Sequence, residues 1–156
     1  MSMQGVARTG REPQACEARL FPAERLLFYA LKAWSAARLM GERPHGHVGE
    51  VLAARASPRA SSLFLAWIQA VEAASARPLR LTCSHCGGMS TDAQRLIFAC
   101  GLAPVDRPLA EALLEPIVRE PGMVIMLSRQ LNSALCAAGW PLPARGLEPD
   151  ARTTRH

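Results

Sequence analysis

Apolar residues recur at helical spacing through most of the chain, three or four positions apart, which lays one side of an α-helix against a core. The first such run sets Leu27, Leu31 and Trp34 in line with Leu26, Ala30, Ala33 and Ala37 beside them. Phe21-Pro22-Ala23-Glu24 opens it, with proline in the first turn and a carboxylate near the positive helix end, and Gly41 closes it. Pro44-His45-Gly46-His47 reads as a loop, followed by a short helix over Val48 to Ala56. Ser57-Pro58 is a cap followed by proline at the first helical position. The helix it starts runs to about residue 76, where Pro78 ends it. Leu63, Trp67, Ala70, Val71 and Ala74 line one face, with Phe64 and Ile68 beside them. So wide an apolar surface predicts a central, well-covered helix.

Leu79-Arg80-Leu81-Thr82 alternates apolar and polar but has no partner segment, so it reads as extended loop. A helix over Leu96, Ile97 and Cys100 follows, with capping choices at Ser90, Thr91 and Asp92 that include Thr91 paired with Gln94, and it stops at Gly101. Asp106 caps the next helix, which meets Pro116 and must kink or break there, because proline lacks the amide proton and clashes one turn back. Pro121-Gly122 opens a last helix carrying Val124, Leu127, Leu131, Leu135 and Ala138, closed by Gly139. The pattern predicts an all-α bundle of five to six helices over residues 21 to 140 as a single domain. Residues 1–20 and 141–156 show no periodicity and read as disordered, flexible tails.

Composition narrows the function classes. A chain of 156 residues with 49% apolar and 20% charged side chains holds one packed core. The net charge of +5 rests on arginine, Lys32 being the only lysine, and it is spread rather than gathered. The nearest thing to a basic face is Arg55, Arg59, Arg77 and Arg80 against Glu72, which is the basis for an alternative reading as a nucleic-acid-binding regulator. No apolar run approaches a membrane span or the core of a signal peptide. Five cysteines, an odd number, argue against a disulfide framework. The expected setting is the cytoplasm, without membrane contact.

Candidate chemistry centres on Cys83-Ser84-His85-Cys86-Gly87-Gly88. Two cysteines at this spacing can chelate one zinc ion, which needs two further ligands. Cys100 is a poor third: along a helix capped at Ser90 it lies about 15 Å from the start, while the link from Cys86 spans about 13 Å only if fully extended. Its face is shared with Ala93, Leu96 and Ile97, so it reads as a buried hydrophobe. The same argument weakens an iron–sulfur set of Cys83, Cys86, Cys100 and Cys136. The better completing pair is His45 and His47, provided the fold brings both loops to one end of the bundle. The metal expectation is therefore zinc on Cys83, Cys86, His45 and His47.

A thioredoxin-like centre would set its first cysteine at a helix N-terminus, and Gly87-Gly88 start the helix too late. A thiol redox or metal-dependent enzyme using Cys83 and Cys86 remains a further alternative. No phosphate-binding glycine loop, nucleophile elbow or zincin helix is present in the sequence. Glu111 and Glu115 share an exposed helix face. Met123 and Met126 read as core gap-fillers, with an adaptable binding groove as the other reading. The leading expectation is a small soluble helical regulatory or adaptor protein, not an enzyme, whose partner is another protein.

Overall fold

Side-chain caps start three of the six described helices. The computed structural model describes residues 19–83 and 88–146, and it contains six helices and no strand among them. These are α1 (Pro22–Leu39), α2 (His45–Arg55), α3 (Pro58–Ala74), α4 (Thr91–Leu102), α5 (Arg107–Leu114) and α6 (Gly122–Ala137). Ser57 accepts the Ala60 amide at 3.0 Å, Ser90 that of Ala93 at 3.1 Å and Asp106 that of Leu109 at 3.1 Å. Each side-chain oxygen satisfies an amide that has no partner inside its helix. The α4 cap is thus Ser90, and Thr91 is already helical.

Two helices end on the same device. At Gly41 (φ 71°) and Gly139 (φ 86°) the backbone enters the left-handed region. The Glu42 amide reaches back to the Ala37 carbonyl at 2.9 Å, and the Trp140 amide to that of Leu135 at 2.8 Å. Only glycine takes this conformation without a Cβ penalty. The break expected at Pro116 is present: α5 ends at Leu114, and Ile117 and Val118 turn inward as buried residues.

Helix α3 is the centre of the bundle, packed between α2 and α6, and α4 packs on α5, α6 and α1. Phe64, Trp67, Ile68 and Val71 of α3 have no exposed surface. The Trp67 indole N–H donates to the Ser128 hydroxyl of α6 at 3.0 Å, and Ser128 donates to the Val124 carbonyl at 2.7 Å. The polar tip of a buried tryptophan is thereby satisfied inside the core. The end of α3 pairs with the segment after α5, the Ala76 amide on the Ile117 carbonyl and the Arg119 amide on that of Ala74, both at 2.9 Å.

Helix α2 begins at His45, three residues before the expected start, so His45 and His47 lie in its first turn rather than in a loop. Pro44 adopts helical angles (φ −75°, ψ −16°) and leads directly into it. Leu79 to Thr82 is extended, and its sole pairing among the described residues is a single bridge between Thr82 and Met89.

The described chain continues past Trp140 as a strap across the bundle. The Trp140 indole N–H donates to the Arg55 carbonyl at 3.0 Å. The Pro143 carbonyl lies so close over Gly101 that a Cβ there would stand 2.1 Å from its oxygen. Arg145 then grips Glu24, which is 1% exposed, at 2.7 and 3.1 Å, while its guanidinium lies 4.6 Å from the centre of the Phe98 ring. Glu24 in turn accepts the Phe21 amide at 2.9 Å. A carboxylate buried at a helix start is thus neutralised by an arginine stacked on an aromatic face.

Candidate functional site

The C-terminal end of α1, the start of α2 and the end of α3 meet around Trp34. Its indole N–H is hydrogen-bonded to Glu72, and Arg38 pairs with Glu72 at 2.6 Å with its guanidinium 5.2 Å from the Trp34 ring centre. The His45 ring meets the Trp34 ring edge-on, 5.1 Å between centres, and its Nε2 contacts the Gln69 side-chain amide. His47 is exposed. Trp34 also lines a cleft of about 330 Å³ with Leu79 and Leu81, two residues before Cys83. Cys83 itself lines a different cleft, with Arg77, Arg80, Met89 and Asp92, while His45 lines one with Arg38 and Pro44.

The Cys83 amide donates to the Gly88 carbonyl at 2.8 Å, closing a loop whose central residues 84–87, Cys86 among them, lie outside the described residues. Among the described residues no three His, Cys, Asp or Glu side chains gather as a metal set. His45 is already engaged by Trp34 and Gln69. Cys100 is fully buried, and burial pushes its thiol up to about 12, offset in part by a hydrogen bond with Ser128. It stays a protonated core residue, as its helix face indicates.

Of the four arginines of the suggested basic face, Arg77 alone forms an ion pair among the described residues. Arg77 forms a two-pronged bridge to Asp92 at 2.7 and 2.8 Å, and the Arg80 amide adds a third bond at 3.1 Å. Glu72 belongs to Arg38, and Arg59 faces a different groove. Hydrogen bonding from Arg77 holds the Asp92 carboxyl below its ordinary value, against the opposing effect of burial. A depressed folded-state value makes this contribution complete above about pH 4 and lost as pH falls through the folded value. Urea midpoints should therefore drop more for the wild type than for Asp92→Asn between about pH 7 and about pH 3. Parallel acid profiles would remove Asp92 as a source of acid sensitivity.

On the far side of α6 a groove of about 660 Å³ is lined by Arg59, Pro104, Arg107, Ile125, Met126 and Arg129, with Gly122, Gln130 and Ser133 completing it. Met126 is 46% exposed, and Met123, one turn earlier on the same face, is 58% exposed. This overturns the reading of the two methionines as core fillers: the buried side of α6 is Val124, Ile125, Ser128, Leu131, Ala134 and Leu135. No carboxylate lines the groove. Arg107 shares an exposed bridge with Glu111 at 2.8 Å, while Arg59 and Arg129 make no ion pair among the described residues. The sequence carries a hint of this site, methionines three apart beside arginine, but only the turn at Pro104 and the start of α3 make it a groove.

Among the described residues no helix is long and apolar enough to cross a membrane. The chain matches no family model, no curated protein and no solved structure, so a functional reading rests on its own residues.

Proposed function

We propose that this protein is a non-enzymatic helical adaptor or regulator that docks a partner protein over Met126. The observation that carries this reading is a pair of exposed methionines, two of the eight large apolar side chains exposed among the described residues, set beside a groove that no carboxylate lines. Unbranched, polarizable side chains suit a surface that adapts to another chain. Three carboxylates drawn into the bundle serve as braces: Glu24 with Arg145, Asp92 with Arg77, and Glu72 with Arg38 and Trp34.

Met126→Asp tests it. The variant should fold as the wild type does, because the side chain is half exposed, and should lose the proteins that wild-type chain retains at stoichiometric yield from native lysate. Identical retention by both chains, or background proteins alone, would count against the proposal.

A further inference from the structure

We infer that the occupant of the Met126 groove is an acidic amphipathic helix; this deepens the docking reading and rests on it. The apolar floor is Pro104 and Met126 with the nearly buried Ile125. Gln130 and Ser133 add polar groups, and the rim is cationic, with Arg59 at the start of α3, Arg107 at the start of α5 and Arg129 on α6. Carboxylates answer that rim, because a guanidinium presents a planar fork that a carboxylate matches with two bonds. Arg59 and Arg129 have no carboxylate partner among the described residues, so an incoming acid displaces nothing there.

The apolar floor calls for side chains at helical spacing. One extended mode, strand addition at a sheet edge, is closed here because the described residues contain no strand. A helix instead reaches a groove with apolar anchors three or four residues apart and can carry Asp or Glu on both flanks of that stripe. Single-stranded nucleic acid fits less well, since it favours aromatic stacking platforms, and none of the lining residues is aromatic. The occupant so defined places a Leu- or Phe-sized side chain on Met126 and acids at Arg59, Arg107 and Arg129.

Three fluorescent helical peptides with identical leucine spacing, flanked by Glu, Lys or Gln, test this by anisotropy against the full chain. The Glu-flanked peptide should bind about tenfold tighter than the Gln-flanked one, as two or three exposed ion pairs would give, and added salt should erode that margin. Arg59→Glu combined with Arg129→Glu should invert the order in favour of the Lys-flanked peptide, and Met126→Asp should weaken all three. Both sets of positions are exposed, and an unchanged helical signal confirms that the variants fold. Equal binding of the three peptides, still lost in Met126→Asp, overturns the acidic occupant while leaving the docking groove in place. Affinities indifferent to Met126→Asp, or no binding by any peptide, overturn the groove as well. A short DNA duplex that displaces the Glu-flanked peptide and ignores Met126→Asp would instead assign the arginines to a polyanion.

Discussion

Trp67→Ala should remove about 3–5 kcal/mol of stability, a large part of what a domain of this size has. Trp67 has no exposed surface and fills the space between α3 and α6, its ring 5.7 Å from that of Phe64. Alanine loses the transfer energy of the indole and leaves a cavity that the packed helices cannot fully close. It also removes the indole N–H that donates to the buried Ser128 hydroxyl. Trp67→Phe keeps most of the apolar volume and forfeits mainly that bond and a sliver of packing, so its cost should be about 1–2 kcal/mol. Urea unfolding with an unchanged slope reads both values. A loss below about 1 kcal/mol for the alanine variant would mean that α3 and α6 are not held through this contact.

Gly101→Ala should act in opposite directions on the full chain and on a chain truncated after Trp140. In the full chain the new Cβ would stand 2.1 Å from the Pro143 carbonyl oxygen, and a backbone atom cannot swing aside as a side-chain tip can. The strap must lift, and with it the pairing of Arg145 with the buried Glu24, at a cost of about 2–4 kcal/mol. Trypsin should then cut after Arg145 sooner than in the wild type. Without the strap the glycine is an ordinary residue near the end of α4, where alanine favours the helix by about 0.5–1 kcal/mol. Thermal or urea unfolding of the four chains gives the cycle. A stabilised full-length variant would show that the strap does not lie on Gly101.

Features set by neighbours in sequence could be read from the sequence, and features set by distant neighbours could not. Ser57-Pro58, Asp106, Gly41, Gly139 and Pro116 act within one or two turns, and each delimits a helix where its chemistry places it. Burial of Cys100 followed from its sharing a face with Leu96 and Ile97. Met123 and Met126 were misleading because α6 is apolar on both sides, and periodicity cannot say which side another helix covers. The clasp of Glu24 by Arg145 joins residues 121 apart, beyond any local pattern. His45 owes its place to the Trp34 ring and Gln69, contacts that a reading of Pro44-His45-Gly46-His47 as loop punctuation does not contain. Of the zinc expectation, Cys83 and His45 line different clefts, Cys86 lies outside the described residues, and no metal set gathers among those described.

Arg145 also contacts the Arg19 carbonyl at 3.2 Å, so the two limits of the described chain sit against each other. The fold is nearly a closed ring, and its seam is an ion pair rather than a covalent bond. Linking residue 146 to residue 19 by a few residues would close that ring at little entropic cost. New ends opened in the exposed turn before α5 would give a rearranged chain with the same six helices. A pull applied at residues 19 and 146 would load the Glu24–Arg145 seam before any helix, so this one contact sets how the bundle begins to come apart.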